Sequence, residues 1–186
     1  MIEVKWYARG GQGGFTASKI FGYSAALFGG KYAQAFPSFG PERRGAPVYA
    51  FNRIDDKPIQ NHSQVYDCDY SVVLDPTLLE TLDATKGLKP GGAIIINAPS
   101  QGVSGAPWNG ITVITYDALP VCMSLIGSPF TNTAMMAVLG AASGLADDRS
   151  MIEAIKKSMR GPAAEKNANL VSHVYAERQL YVKTEN

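Results

Sequence analysis

The stretch that most restricts the fold lies within the first thirty residues, where an apolar strand runs into a glycine-rich turn and then into helical spacing. Val4 to Ala8 reads as a buried strand, Arg9-Gly10-Gly11-Gln12-Gly13-Gly14 must turn sharply, and Phe15 to Leu27 repeats apolar residues at helical intervals. Glycine lets the backbone bend tightly and lets a ligand approach without meeting a Cβ. The unpaired N–H groups of the following helix, with the positive end of its dipole behind them, suit an anionic group such as a phosphate. The alternative is a tight turn with a structural role only.

The dinucleotide fingerprint is incomplete. Counting from Gly11 gives Gly11-x-Gly13, and the third glycine position falls on Thr16. An acidic residue is required about twenty residues on, at the end of the second strand, to hold a ribose. That stretch is Lys31-Tyr32-Ala33-Gln34-Ala35, without a carboxylate. A free-standing NAD(P)-dependent reductase is therefore disfavoured.

Gly29-Gly30 stops the first helix, and Lys31 to Phe36 reads as the second strand. The segment from Pro37 to Pro47 holds three prolines, two glycines and the adjacent Arg43 and Arg44, so a stiff, cationic loop is expected. Val48 to Ile54 alternates as a strand, with a hairpin turn at Asp55-Asp56 leading toward Lys57 to Gln60. An antiparallel ribbon inserted after the second strand follows from this. Tyr70 to Leu74 is a buried strand, and Asp75 is expected to cap a helix over Thr77 to Leu88. After a turn at Gly91-Gly92 come strands at Ala93 to Asn97 and Ile111 to Tyr116, the latter followed by a short helix capped by Asp117. Helices are expected at Thr131 to Leu145, Arg149 to Met159 and Pro162 to about Val182. Such alternation predicts an α/β domain spanning residues 1–186, with a mostly parallel sheet covered by helices on both faces.

In sheets of this kind ligands bind beyond the carboxyl ends of the strands. The glycine turn, the Ser38 to Arg44 loop, Asp75-Pro76 and Asn97-Ala98-Pro99-Ser100 are expected to converge there. Arg43 and Arg44 would add forked donors to an anion held by the turn, or pair with a neighbouring subunit.

Several classes lose support on composition. The formal charge is +1 over 186 residues, so nothing globally basic invites nucleic acid. Apolar runs break before spanning a bilayer, and no secretory leader is read at the start, so a cytoplasmic location is expected. Cys68 and Cys122 stand far apart, outside any Cys-x-x-Cys pair, and read as buried thiols; His62 and His173 lack a metal-binding company. No motif for holding thiamine diphosphate, no P-loop lysine, no nucleophile-elbow serine and no paired acid/base carboxylates were found. A binding loop without a catalytic constellation points to one part of a larger assembly.

Two segments carry a family likeness. Arg9 to Gly13, together with Tyr32-Ala33-Gln34-Ala35-Phe36-Pro37-Ser38-Phe39-Gly40-Pro41-Glu42-Arg43-Arg44-Gly45-Ala46-Pro47-Val48, resembles the gamma subunit of 2-oxoacid:ferredoxin oxidoreductases. Val73-Leu74-Asp75-Pro76-Thr77-Leu78-Leu79 and the Asn132-containing helix start fit the same pattern. Gly14 departs from it, standing where a hydrophobic residue is commoner, and is expected to alter helix entry only. The resemblance implies a Rossmann-like gamma domain associated with coenzyme A, in a complex that converts a 2-oxo acid to acyl-CoA and CO₂. It implies alpha, beta and ferredoxin-like delta partners that carry thiamine diphosphate, Mg²⁺ and 4Fe-4S clusters, with ferredoxin or a flavin/NAD-linked subunit accepting electrons. Under it, Gly10, Gly11, Gln12, Gly13, Ser38, Arg43, Arg44, Asn97 and Asn132 are the candidate coenzyme A contacts. A pure scaffold subunit without a ligand site is the alternative.

Overall fold

The computed structural model describes residues 1–38, 45–99 and 110–181. Six strands form one sheet in the order β2-β3-β1-β4-β5-β6. They are β1 (Ile2–Arg9), β2 (Tyr32–Pro37), β3 (Pro47–Asp55), β4 (Cys68–Val73), β5 (Leu88–Asn97) and β6 (Thr112–Tyr116). β1, β4, β5 and β6 pair in parallel, whereas β3 runs antiparallel to both β1 and β2. The expected antiparallel insertion is thus a ribbon of β2 and β3. The chain after Asp55 does not continue it, and Lys57 to Gln60 form no strand.

Alternation along each strand divides the core. Val4, Trp6 and Ala8 of β1, Val72 and Leu74 at β4, and Ala93 and Ile95 of β5 share a large cluster with the α-helices. Those helices are α1 (Gly14–Tyr23), α2 (Ala118–Leu125), α3 (Asn132–Ser143), α4 (Asp148–Ser158), α5 (Pro162–Ala176) and α6 (Arg178–Tyr181). Tyr7, Val73, Ile94 and Ile96 point to the other face, where Leu78 and Ala84 pack on them.

That second face carries a 3₁₀-helix (Pro76–Glu80) and turns rather than the α-helix expected over Thr77 to Leu88. The stretch falls apart locally because Asp83 ties its carboxylate to the Thr85 amide and hydroxyl, at 2.9 and 2.6 Å. Such turn-forming hydrogen bonds compete with helix. Gly91-Gly92 forms an irregularity inside β5, where the register with β4 shifts between the Cys68 and Tyr70 pairings.

At its far end α1 widens into a π-helix over Ser24–Phe28, in which the Gly29 N–H donates to Ser24 O, five residues back, at 2.8 Å. A buried amide fixes α1 to the ribbon. Asn52 of β3, fully buried, accepts from Trp6 Nε1 at 2.8 Å and donates to Ser18 O at 2.8 Å. Near the amino ends of β1 and β4, Arg53 (1 % exposed) meets Glu3 at 2.9 Å, and Lys89 meets Asp69 at 2.9 Å. Charges close that end of the sheet, and the glycine turn is left for the other.

Candidate functional site

β1 is the strand at which the connections change direction. The chain leaves it through α1 toward β2 on one side and resumes at β4 on the other. Ligand crevices form at such switch points.

A cleft of about 290 Å³ opens here, lined by Arg9, Gly10, Gly11, Gly13, Gly14, Phe15, Thr16 and Val48 to Ala50. Gly11 has φ +96° and a Cβ there would meet nothing within 4 Å, so its bare backbone faces open space. Gly13 (φ +78°) is the N-cap of α1 and offers no side-chain acceptor. The Ala17 N–H closes the first helical bond on Gly13 O at 2.9 Å. Among the described residues, the amides of Gly14, Phe15 and Thr16 therefore stay unpaired beside the cleft, and the first turn of α1 contains no acid. Gly14 has its own reason to be glycine: a Cβ there would lie 2.9 Å from Ala8 Cβ, so the helix start presses directly on β1.

The turn is held from below by one carboxylate. Asp75 Oδ2 accepts from Arg9 Nε at 3.0 Å and from Gln12 Nε2 at 2.8 Å. Its Oδ1 accepts from the Thr77 amide at 3.0 Å, which makes it the expected cap, though of a 3₁₀ turn. Arg9 spreads its fork further, to Thr77 Oγ1 at 2.7 Å and Gly45 O at 3.2 Å. Burial pushes the Asp75 carboxyl upward, but hydrogen bonds from Thr77 and Gln12 and the charge of Arg9 outweigh it and hold it below the ordinary carboxylate range.

The candidate residues sort clearly on this frame. Gly10, Gly11 and Gly13 line the cleft. The Gln12 side chain turns inward instead, accepting from the Arg9 amide at 2.7 Å while bonding Asp75. Ser38 stands beside one wall, its amide bonded to Tyr49 O at 2.9 Å. Asn132 packs over Gly13 and donates weakly to its carbonyl at 3.4 Å. Asn97 is saturated by protein: its Nδ2 donates to Leu74 O at 2.9 Å, and its Oδ1 accepts from the Ala118 amide at 3.1 Å. It thereby does the capping expected of Asp117, which stands at the N-cap of α2 without a side-chain cap bond. Arg43 and Arg44 lie outside the described residues, as does Ser100. Gly45, next in the chain after Arg44, is tied to the turn, its amide bonding Gly10 O at 3.3 Å, and Ala46 O accepts from the Gly10 amide at 2.9 Å.

Sequence reading missed Arg9 and Asp75 as the strut of the turn and Asn52 as its brace. Only the Asp-Pro pair at the end of β4 hinted at one of them. Burial pushes the thiols of Cys68 and Cys122 up to about 11, which makes them poor nucleophiles.

The family model described as pyruvate ferredoxin/flavodoxin oxidoreductase matches residues 3–177. The chain belongs to that family. It is 44 % identical over 184 residues to the pyruvate/ketoisovalerate oxidoreductases common subunit gamma of Thermococcus kodakarensis, covering 97 % of this chain and 99 % of the relative. Pyruvate synthase subunit PorC of Methanothermobacter thermautotrophicus is 42 % identical over 177 residues, covering 95 % and 96 % of the two chains. Among solved structures, pyruvate oxidoreductase subunit PORC from Thermotoga maritima superposes with a TM-score of 0.76 at 28 % identity, over 94 % of this chain and 95 % of that one. A 2-oxoglutarate:ferredoxin oxidoreductase from Magnetococcus marinus shares the fold at a TM-score of 0.81 and 13 % identity; the match covers 99 % of this chain and 32 % of that longer one. This family member thus has the α/β, mostly parallel architecture of its gamma-subunit relatives. None of its described helices is long and apolar enough to cross a membrane.

Proposed function

We propose that this chain is the gamma subunit of a complex that oxidatively decarboxylates pyruvate or a related branched or aryl 2-oxo acid with coenzyme A. In that reaction the 2-oxo acid loses CO₂, the remaining acyl group is oxidised and passes to the thiol sulfur of coenzyme A, and the electrons leave to ferredoxin or another acceptor. The chain's own contribution is to hold the coenzyme A diphosphate at the glycine turn and to help assemble the complex. Thiamine diphosphate with Mg²⁺, which supplies the carbanion chemistry, and the 4Fe-4S clusters that carry electrons belong in this reading to alpha, beta and delta partners.

One observation supports the binding role above the others. The cleft is lined by the bare Gly11 backbone and by Gly14, Phe15 and Thr16, whose amides have no partner among the described residues, with no acid in the helix turn behind them. A diphosphate fits that donor set in charge and in hydrogen-bonding sense. Arg43 and Arg44 are assigned to the same anion because the chain directly after them returns to Gly10. The chain makes and breaks no covalent bond in this scheme. Clamping the diphosphate restricts where the thiol end can reach, and binding energy far from the reacting atoms serves as orientation. Exposed Leu119 and Met123 on α2, with Phe130 beyond it, supply apolar surface suited to assembly.

Titration of the assembled complex with coenzyme A is the test. Gly11→Val puts a branched side chain where the phosphates approach and is expected to weaken binding at least about tenfold. Because φ +96° strains any side chain, Gly11→Ala is the control for backbone cost. Equal affinity in wild type and Gly11→Val would overturn the diphosphate assignment. Arg43→Ala and Arg44→Ala are expected to weaken binding in an intact complex; loss of assembly at unchanged affinity would favour the scaffold reading.

A further inference from the structure

From Pro90 to Ala146 the sequence holds a single charged residue, Asp117, whereas 18 % of the whole chain is charged. Part of that span lies at the surface. On α2, Leu119 and Met123 stand 47 % and 51 % exposed, and Phe130, in the connection to α3, stands 57 % exposed. Leu119 and Met123 are four residues apart and so share one face of the helix. Loss of charge together with open apolar side chains is the composition of an interface core and not of a solvated face.

The two ends of α2 carry opposite charges. Asp117 at its N-cap is exposed and makes no cap bond, because Asn97 Oδ1 already accepts from the Ala118 amide. At the other end Lys166 of α5 donates to the carbonyl of Ile126, the C-cap residue, at 3.1 Å. Neither charge has an ion-pair partner among the described residues. An ammonium group carries three donors, so the bond to Ile126 leaves Lys166 able to meet an acid as well. The order along the helix is acid, apolar face, base, over about 12 Å.

We infer that this face receives a second copy of the chain, with the two α2 helices antiparallel about a two-fold axis. A two-fold contact requires that residue i touch residue j while j touches i. The α2 face meets that requirement: Asp117 of each copy reaches Lys166 of the other, and Leu119 and Met123 of one pack on Met123 and Leu119 of the other. A face with charge of one sign only would repel its own copy. The face offers one eight-residue helix and its flank, less than the about 800 Å² per partner of a standard stable interface, so the free chain self-associates weakly. Within the assembly the same contact ties together two complexes that each carry one copy. It names one contact of the assembly role and is independent of the coenzyme A assignment.

Sedimentation equilibrium of the full chain, alone and in the assembled complex, tests this, with thermal unfolding of each variant as the control for folding. Wild type is expected to dimerise as its concentration rises. Asp117→Lys and Lys166→Glu should each weaken dimerisation at least about tenfold, and the two together should return it to within about threefold of wild type, because the exchanged charges meet again. Met123→Glu, at an exposed position, should abolish the dimer and leave the unfolding temperature unchanged. The inference is overturned by a wild type that stays monomeric up to about millimolar concentration, by a charge exchange that does not restore what the single reversals lose, or by a dimer that survives Met123→Glu. Variants that keep the dimer but no longer join the other subunits would also overturn it, and would give the face to a different chain.

Discussion

Asn132, at the start of α3, covers Gly13 so closely that a Cβ on the glycine would lie 2.7 Å from Asn132 Nδ2. The second α-helix after the last strand therefore packs on the turn that follows the first. Gly13→Ala meets two separate obstacles, the side chain of Asn132 and a left-handed backbone at φ +78°. We expect Gly13→Ala to lower stability by about 2–4 kcal/mol in urea unfolding. Adding Asn132→Gly should recover the contact part and leave the about 1–2 kcal/mol that the backbone conformation costs. Additive losses in the double variant would show that the two residues do not meet.

Thr16→Glu should separate folding from binding. An acid in the first turn of α1, which now has none, favours the helix by about 0.3–1 kcal/mol through the dipole. The same charge faces the cleft and repels an incoming diphosphate. The expected result is unchanged or raised thermal stability with weakened coenzyme A binding in the assembled complex. Tighter or equal binding would contradict the anion site.

The brace at Asn52 should be costly to remove. Asn52→Leu leaves the buried Trp6 indole N–H and the Ser18 carbonyl without this partner, an expected loss of about 2–3 kcal/mol by chemical denaturation. Trp6→Phe also strips Asn52 Oδ1 of its donor, so the double variant should cost less than the two single losses added together.

Asp75 gives the turn a pH dependence with a definite sign. Its folded carboxyl lies below the usual value, so its contribution to stability is complete above the unfolded value of about 3.9 and is lost as pH falls through the lower folded value. Asp75→Asn should therefore be less stable than wild type at neutral pH. The gap should close only as the solution is acidified below about pH 4. A gap independent of pH would place the effect in shape and not in charge.

Much of the architecture was legible because it is written locally. Val4 to Ala8, Val48 to Ile54 and Ala93 to Asn97 carry their pattern in consecutive residues, and the glycines between β1 and α1 announce their turn. Where Thr77 to Leu88 misled, the apolar spacing was real, but the Asp83–Thr85 bonds held a turn instead. The site was legible in its backbone and not in its side chains. Gln12, Asn97 and Asn132 have polar groups that suit a ligand equally well, and their partners Asp75, Ala118 and Gly13 lie 63, 21 and 119 residues away. No local pattern records such pairings. Asn52, in an otherwise ordinary strand, is the same case.

The widened turn at Ser24–Phe28 also decides which way a side chain looks. In an α-helix each residue advances by about 100°, so positions four apart drift steadily around the axis. A π turn advances less per residue, which swings Leu27 back into line with Phe15, Lys19 and Tyr23. Wound as ordinary α-helix, the same residues would turn Leu27 out of that column while leaving every strand of the sheet in place.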